Sequence, residues 1–361
     1  MRFGVGPATI FAMTSPLARG TPTAIDLFAG CGGLTHGLAQ AGFSILAAVE
    51  VDELAADTYQ LNHPDVLLVR RDIRKVRPDR LMTRLRLRPK QLTLLAGCPP
   101  CQGFSSIRRL NKSNAVDDPR NDLVSQMLKF TKKFVPKAIM MENVPGLAND
   151  ERFVSLVSQL EKLGYRCTEL ILDAAHYGVP QRRRRLVLLA GLGVRLSMPD
   201  TTSSRTSVRQ TIAGLGAVGT SGDPLHDVTE RRSATIKRLI ASIPKDGGSR
   251  AQVRGGDGLK CHKEFDGFKD VYGRIAWDGV APTITGGCVN PSKGRFLHPN
   301  QNRAITLREA ALLQGFPTGY RISLKRGKFP AAGLIGNALP PPLARAQGRK
   351  ILEDLGLAVR V

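Results

Sequence analysis

Residues 24–33 read AIDLFAGCGG, an apolar run followed by a turn with glycine at positions 30, 32 and 33. The apolar run predicts a buried strand over residues 24–30, and the residues that follow predict a helix from about 33 to 41. Glycines after a strand let a ligand approach the backbone, and the N-terminus of the next helix favours polar or anionic groups. The turn therefore indicates a nucleotide-like cofactor, although a Gly-rich turn by itself is a weak indication.

The same alternation of short apolar runs and amphipathic stretches continues downstream. A second helix is predicted near 52–62, and further strands are predicted at 44–50 (SILAAVE), 66–69 (VLLV), 92–97 (LTLLAG), 137–141 (KAIMM) and 184–190 (RRLVLLA). Short strands separated by helical segments predict a mostly parallel, twisted sheet flanked by helices, the Rossmann-like α/β class. Ligands bind such sheets at the carboxyl ends of the strands.

The character of the sequence changes after residue 190. Residues 191–300 are rich in Gly, Ser, Thr, Asp and Arg and show a helical period only at about 229–243. Helix returns at 306–313, where Thr306 and Glu309 have the spacing of a capping box, and again at 340–355. We therefore predict a disordered tail (1–22), a main domain (23–190 with 334–361) and a smaller second domain (191–333).

The charge of the chain indicates a polyanionic partner. The 361 residues include 53 Lys and Arg against 30 Asp and Glu, a net charge of +23. Nucleic acid is the simplest such partner, while solubility or an Arg-rich genome would also explain the excess. Residues 70–90 alone hold ten Lys and Arg and two acidic residues, which suits either phosphate contacts or a solvent-exposed helix. A membrane surface fits less well, because the basic residues do not line one face of an amphipathic helix.

Hydropathy and cysteine content exclude two classes of protein. No apolar run approaches the ~18 residues that a membrane-spanning helix needs. Six cysteines in 361 residues are too sparse for a disulfide scaffold, which favours a reducing compartment. We therefore expect a cytoplasmic protein without a membrane partner.

Two acidic residues follow the second and third predicted strands. Glu50 lies about 20 positions after the glycine turn, where an acidic residue usually binds ribose hydroxyls. Asp72 follows the third strand in RRDI. Glu50 could instead be a solvated strand end and Asp72 a helix N-cap, but the register of both with the glycine turn favours a cofactor site.

The segment GCPPCQGFS at 97–105 places Cys98 and Cys101 in a C-x-x-C pattern. A zinc site would need a second pair, and neither Cys261 with His262 nor Cys288 supplies the spacing. A thioredoxin-like dithiol is a second interpretation. The third makes Cys101 a nucleophile held on a stiff turn by Pro99 and Pro100.

Together these segments resemble the DNA cytosine-5 methyltransferases of bacterial restriction–modification systems. The motifs that carry the resemblance occur in family order and are DLFAGCGG (26–33), PPCQGFS (99–105), ENV (142–144), QRRRR (181–185), PTITGG (282–287), REAALLQGFP (308–317) and GNALPPPLA (336–344). They span nearly all of the chain except its ends. Any one of these motifs alone would be unspecific, but the joint match is highly specific.

The resemblance implies S-adenosylmethionine as cofactor, with S-adenosylhomocysteine as product, and no metal. It places the cofactor over the glycine turn, with Glu50 on the ribose, Asp72 and Ile73 on the adenine, and Asn337 closing the pocket. Val51 stands where some members of the family have an aromatic side chain against the adenine. The cofactor-binding residues implied in this way are Phe28, Cys31, Gly33, Glu50, Val51, Asp72, Ile73, Pro100, Leu123 and Asn337.

The resemblance also implies a covalent mechanism on a flipped-out cytosine. Cys101 would attack C6 of the base, Glu142 would contact N3, and Arg183 and Arg185 would orient the base and Cys101. Such an enzyme must take the base out of the duplex, at a cost of a few kcal/mol. Residues 102–122 would close over double-stranded DNA, with Ser105 and Arg120 on phosphates.

From the residues alone, these groups have other interpretations. Glu142 could be a helix cap or a salt-bridge carboxylate, and QRRRR could be a solvated basic edge. Cys101 needs a stabilised thiolate, because a free cysteine has a pKa near ~8.5, and Arg183 and Arg185 would supply the positive charge. A carboxyl group at N3 would lower the cost of charge developing on the base.

The second predicted domain is the region that the catalytic motifs leave unexplained. It contains IPKDGGSR (243–250), where two glycines allow close approach to DNA and Lys245 and Arg250 can reach it. We predict that Arg250 or a neighbouring arginine reads a G–C pair within a site of about four to six base pairs. The alternative is that these residues only hold phosphates.

Three rival functions remain at this point: methylation of RNA, a non-catalytic DNA-binding protein with the same fold, and a dithiol oxidoreductase. The Cys-Phe-Thr signature of the tRNA-modifying branch of the family is absent, and the intact Pro-Cys-Gln and Glu-Asn-Val motifs favour an enzyme. The dithiol interpretation has no use for Glu142 or QRRRR. We expect a monomer that acts with a restriction endonuclease on the same site.

Overall fold

A seven-stranded sheet runs through the protein, in the strand order β3-β2-β1-β4-β5-β7-β6. The computed structural model describes residues 20–100, 123–202, 204–228, 230–253 and 270–357. The five strands from β3 to β5 in this order are parallel, and β7 runs antiparallel to both β5 and β6. The strands are β1 (Thr23–Leu27), β2 (Ser44–Glu50), β3 (Leu67–Arg70), β4 (Leu94–Gly97), β5 (Ala138–Asn143), β6 (Tyr165–Asp173) and β7 (Arg184–Leu192).

Helices flank the sheet and fill the region beyond it. In the described residues they are α1 (Gly33–Ala41), α2 (Glu53–Asn62), α3 (Pro78–Arg84), α4 (Leu123–Phe134), α5 (Glu151–Lys162), α6 (Val208–Ile212), α7 (Ala234–Ser242), α8 (Leu307–Leu313), α9 (Lys328–Asn337) and α10 (Pro341–Asp354). The capping box at the start of α8 is confirmed, because the Thr306 hydroxyl accepts from the Glu309 N–H and the Glu309 carboxylate accepts from the Thr306 N–H. No helix among the described residues is long and apolar enough to cross a membrane.

The central strands are buried on both faces, which explains their nearly continuous apolar runs. Successive residues of one strand point to opposite faces of a sheet. Ile25 and Leu95 therefore pack in the core under α4 and α5, whereas Ala24 and Leu94 pack in the core under α1 and α10. This arrangement confirms the predicted α/β class with a mostly parallel sheet.

Two details of the sheet differ from the sequence prediction. Strand β1 ends at Leu27 rather than Gly30, because Phe28 adopts a φ of 64° and turns the chain. Strand β6 was not predicted at all. Most of its residues are exposed or half-buried, since it lies at the edge of the sheet, and an edge strand lacks the apolar run by which buried strands are recognised.

Residues beyond 191 build a further hydrophobic core. It joins side chains from α6, α8 and α9 with Trp277 and Phe296, and it reaches Cys31 in the turn after β1. The segment at 191–333 therefore packs directly against the glycine turn. The division of the chain into a main and a smaller second domain stays a prediction, and residues 1–19 of the predicted tail lie outside the described residues.

Candidate active site

The turn after β1 is fixed to the end of β2 by Glu50. The Gly30 N–H donates to Glu50 Oε2 at 2.7 Å, and the N–H groups of Val51 and Asp52 donate to Oε1 at 2.8 and 2.7 Å. Phe28, Gly30 and Gly32 all have positive φ, so the turn folds back on itself. Burial raises the pKa of Glu50, and the three N–H groups act in the opposite direction. Glu50 is thus a structural part of this turn, with oxygen lone pairs left for a further donor.

A second carboxyl group lies under the turn, and sequence reasoning missed it. Asp26 is fully buried in β1, accepts from the Thr35 hydroxyl at 2.7 Å through Oδ2, and leaves Oδ1 buried without a partner. Burial raises the pKa of Asp26 to about 7. An acidic residue within an otherwise apolar strand was the signal that pointed to it.

The rim of this site contains the other residues predicted to hold a cofactor. The Val51 side chain is 65% exposed although it is apolar, and Asn337 is exposed at the end of α9. Asp72 caps the short turn Ile73–Lys75 and pairs with Arg74 at 2.6 Å, which is the N-cap interpretation. Ile73 and Leu123 are buried in the core. An exposed apolar side chain beside buried carboxyl groups is a surface that a nucleoside can cover.

Two glycines allow the C-terminal segment to close on this turn. A Cβ on Gly33 would lie 2.4 Å from the Leu339 carbonyl oxygen, and one on Gly336 would lie 2.2 Å from the backbone of Thr285. The Tyr320 hydroxyl also donates to the Cys31 carbonyl oxygen at 2.6 Å. Segments far apart in sequence are therefore packed backbone to backbone around the glycine turn.

A second group of polar side chains lies where β4 and β5 end. Arg185 Nε lies 2.7 Å from Glu142 Oε1, as an ion pair without the alignment of a hydrogen bond. Glu142 is only 7% exposed. The Asn143 amide donates to the Pro99 carbonyl oxygen at 2.9 Å, which ties the residues before position 101 to the end of β5. Pro100 is half-buried beside them.

Cys98 lies next to this ion pair. Burial raises the pKa of its thiol well above the ordinary value, and the charges of Glu142 and Asp26 act in the same direction. The Cys98 thiol is therefore protonated near neutral pH. A nucleophile needs a thiolate, so this cysteine is poorly suited to the chemistry.

Arg183 makes different contacts from Arg185. Its guanidinium is 2% exposed and donates to the carbonyl oxygens of Ile284, Gly336 and Ala338 at 2.9 to 3.2 Å. Gln181 acts in the same way, because its amide bonds the carbonyl oxygen of Leu313 and the side chain of Gln314. These contacts hold the C-terminal motifs against β7. The predicted role of Arg183 in orienting the base and Cys101 stays a prediction.

The loop over residues 243–250 is held rigidly from beneath. Arg274 is fully buried and donates to the carbonyl oxygens of Ile240 and Ile243 at 2.8 and 3.1 Å. Arg295 donates to the carbonyl oxygens of Gly247 and Gly248 at 2.8 and 3.2 Å. The sequence pointed to neither arginine, because their partners are backbone atoms that sequence patterns do not reveal.

The two predicted DNA-reading residues sit on this loop in different surroundings. Lys245 is exposed, and its ammonium donates to the Asn302 side chain, which also accepts from Arg274. Arg250 is half-buried and begins a short helical turn that Ser249 caps. Loss of solvation lowers the pKa of Lys245, with the charge of Arg274 second. The loop thus presents a cation on a preorganised backbone.

Several predicted residues lie outside the described part of the chain. They include Cys101, Ser105, Arg120 and the remainder of 102–122. Within the part that is described, no three His, Cys, Asp or Glu side chains come together as a metal site.

Comparison with known proteins shows the same family along the whole chain. A family model described as C-5 cytosine-specific DNA methylase matches residues 23–353. The chain is 36% identical over 346 residues to the Type II methylase M.HgiDII of Herpetosiphon aurantiacus, covering 92% of this chain and 95% of that protein. It is 31% identical to the Type II methyltransferase M1.HphI of Haemophilus parahaemolyticus, covering 92% and 87%.

Solved structures agree with this comparison. One is the crystal structure of a DNA modification methyltransferase described as encoded within a prophage of E. coli. It matches with a TM-score of 0.68 at 25% identity and covers 93% of this chain and 99% of that one. The S. pombe Dnmt2 methyltransferase matches with a TM-score of 0.60 at 20% identity, which shows the shared fold.

Proposed function

Because this chain belongs to the C-5 cytosine-specific DNA methylase family, we propose that it transfers a methyl group from S-adenosylmethionine to one cytosine within a short DNA sequence. It is a DNA cytosine-5 methyltransferase similar to the Type II enzymes of restriction–modification systems. The donor, the covalent intermediate, the flipped base and the specific site are the parts that we propose. The observation that supports them most strongly is the buried Glu142–Arg185 pair at the point where Pro99 leads into Cys101.

The proposed chemistry begins at C6 of the target cytosine. The Cys101 thiolate attacks C6, and the electron pair of the C5–C6 double bond becomes available at C5. Glu142 binds N3 and stabilises the charge that develops on the ring, and Arg185 holds the Glu142 carboxyl in position. C5 then takes the methyl group, the C5 proton leaves to a base that we do not assign, and the thiolate departs as the C5–C6 double bond re-forms.

S-Adenosylmethionine supplies the electrophilic methyl group of this reaction. Glu50, with lone pairs left over from its three backbone bonds, would bind the ribose, and the exposed Val51 side chain would cover the adenine. Asp72 and Ile73 would contact the adenine edge, and Asn337 would close the pocket beside Phe28, Cys31 and Gly33. The buried and unpartnered Asp26 Oδ1 fits a site designed for a polar, positively charged ligand.

The cofactor assignment predicts a selective effect of Glu50→Ala. We expect the KM for S-adenosylmethionine to rise roughly 10- to 100-fold, as for a lost hydrogen bond to a charged group, with kcat little changed. Initial rates with labelled cofactor give both constants. Glu53→Ala, which removes a neighbouring exposed carboxylate, is the control. A fall in kcat at unchanged KM would remove Glu50 from the cofactor site.

The proposal as a whole is tested by bisulfite sequencing of plasmid DNA from a host that expresses the gene. Protected cytosines at one position of a short recurring sequence are the expected result, and they identify the site as well. Labelled methyl transfer to purified duplex DNA and to tRNA separates DNA from RNA as substrate. Methyl label on tRNA alone would exclude the proposed function.

We further propose that the loop at 243–250 reads the target sequence. Support comes from its fixed backbone, because a side chain that distinguishes bases must be presented in a defined geometry. Arginine matches guanine O6 and N7 in the major groove, so Arg250 or a neighbouring arginine is the proposed reader. Lys245, Ser105 and Arg120 would contact phosphates or bases alongside it.

Alanine substitutions at Lys245, Arg250 and Arg254 test this assignment. We expect the loss of a base reader to relax one position of the site and to cost ~1–3 kcal/mol on the correct sequence. Loss of a phosphate contact should weaken all sequences equally and lower the salt dependence. Methylation of a randomised DNA library measures the first effect, with Arg349→Ala on α10 as the control. An unchanged motif in all three variants would rule out direct reading by this loop.

The remaining partners follow from this function. We propose that the enzyme acts as a monomer in a bacterial cytoplasm on double-stranded DNA. A restriction endonuclease that cuts the same sequence would be its functional counterpart.

A further inference from the structure

A dense group of basic side chains lies away from the candidate active site. It comprises two segments, residues 74–90 and 129–137, which we call the basic face. All of its Lys and Arg side chains are exposed. They are Arg74, Lys75, Arg77, Arg80, Arg84, Arg86, Arg88, Lys90, Lys129, Lys132, Lys133 and Lys137.

The fold brings the two segments together. The Lys90 N–H donates to the Phe134 carbonyl oxygen at 2.9 Å, and the Lys137 N–H donates to the Leu92 carbonyl oxygen at 3.0 Å. The Lys129 ammonium donates to the Val76 carbonyl oxygen at 3.0 Å. A shallow groove is lined jointly by Arg77, Pro78, Asp79, Lys129, Lys132 and Lys133.

Much of this face lies at the opposite edge of the sheet from the active site. Glu50 and Glu142 lie at the carboxyl ends of β2 and β5. The ends of α3 and α4, by contrast, lead into the first residues of β4 and β5. In parallel strands all first residues meet at one edge and all last residues at the other. A straight duplex bound at the catalytic edge would therefore not extend to the far part of the basic face.

Few carboxylates neutralise this charge. Within the two segments the only acidic residue is Asp79, which pairs with Arg77 at 2.7 Å, and Asp72 just outside pairs with Arg74. No other cation of the basic face forms an ion pair with a carboxylate in the described residues. Like charges held this close repel each other, so a bound polyanion would stabilise the surface.

The backbone here also favours function over ease of folding. Arg86 and Lys90 have φ values of 55° and 69°, a conformation that glycine adopts far more easily. Of the non-glycine residues with positive φ in the described chain, the others include Phe28 in the cofactor turn and Asp246 in the reading loop. Strained residues cluster at functional sites, and two of these are basic residues in this face.

We propose that the basic face binds the phosphate backbone of a second DNA segment while the first segment occupies the active site. This inference rests on the proposed function only in taking DNA as the partner. Such a second contact would let the enzyme pass from one stretch of duplex to another without returning to free solution. The simpler explanation for Lys132 and Lys133 is that they stabilise the C-terminus of α4 through its dipole, and the experiment separates the two.

The experiment captures a second duplex. The full-length enzyme is bound to an immobilised biotinylated duplex, and a fluorescent duplex of unrelated sequence is added over a range of salt concentrations. Wild-type enzyme should retain the fluorescent DNA. The variant Lys132→Gln/Lys133→Gln should retain about tenfold less, because each lost phosphate contact lowers log K with a slope of about 0.9 against log salt.

The matched control is Arg345→Gln/Arg349→Gln, which neutralises two exposed cations on α10. Equal capture by the two double variants, or no capture by wild type, would overturn the proposal. Retention of single-stranded RNA but not of duplex DNA would overturn it in favour of an RNA partner. Thermal unfolding shows whether the helix dipole alone explains the effect, since a folding defect would lower the Tm and capture together. Lys132→Arg/Lys133→Arg, which keeps the charge, should restore capture.

Methyl transfer separates this proposal from the proposed function. Single-turnover transfer to a short duplex should be unchanged in the double variant. If wild type transferred no methyl group to cytosine, the proposed function would fail, and the capture of duplex DNA would still test the basic face.

Discussion

Cys101→Ser should abolish methyl transfer while leaving DNA and S-adenosylmethionine binding largely intact. A serine hydroxyl is not ionised near neutral pH, so it cannot supply the attack on C6 that makes C5 reactive. By analogy with other nucleophile deletions we expect a loss of roughly 10⁴-fold or more. Single-turnover transfer of labelled methyl groups measures the rate, and equilibrium titrations with DNA and with cofactor measure the two affinities.

A trapped intermediate makes this prediction specific to one cysteine. Duplex DNA with 5-fluorocytosine at the target position should form an adduct with wild type that resists denaturation, because fluorine cannot leave C5 as a proton does. The matched control is Cys98→Ser, which should still form the adduct. Burial and two neighbouring carboxylates keep the Cys98 thiol protonated, so it is a poor nucleophile. An adduct that persists in Cys101→Ser, or that maps to Cys98, would contradict the assignment.

The sequence predicted the parts of this fold whose burial is nearly complete. Strand β2 and helix α1 begin and end where their apolar patterns indicate, because both elements are covered by neighbours along their length. The capping box at Thr306 was predictable because its two hydrogen bonds lie within four residues. Strand β6 was missed since it lies at the edge of the sheet and exposes most of its side chains.

Long-range contacts to backbone atoms limited the prediction of the candidate site. In QRRRR, Arg183 and Arg185 look equivalent, yet one guanidinium is anchored on three carbonyl oxygens and the other pairs with Glu142. Arg274 likewise supports the reading loop through carbonyl oxygens about thirty positions away. Carbonyl groups occur at every residue, so no sequence pattern distinguishes those that will accept such bonds. Only the acidic partners, Glu50 and Glu142, were visible in the sequence.

Glu142→Gln should lower turnover by roughly 10²- to 10⁴-fold, the range of a group that acts on the transition state, and change DNA affinity much less. The contact with N3 strengthens as charge develops on the ring, so its loss affects kcat more than binding. The substitution also leaves Arg185 buried, at 15% exposure, opposite a neutral amide, which should destabilise the protein by ~3–5 kcal/mol at most. Thermal unfolding must therefore show that the variant is folded at the assay temperature.

The comparison with Glu50 makes the assignment of Glu142 falsifiable. Two carboxylates at the same sheet edge should fail differently: Glu50→Ala through the KM for S-adenosylmethionine, and Glu142→Gln through kcat at saturating cofactor and DNA. Glu151→Gln, which neutralises an exposed carboxylate at the start of α5, should change neither. The adduct with 5-fluorocytosine DNA should form slowly in Glu142→Gln, because attack by Cys101 creates the charge that Glu142 stabilises. If instead the adduct formed at the wild-type rate and only the cofactor requirement rose, Glu142 would belong to the cofactor site, and the ion pair with Arg185 would serve to hold β5 against β7.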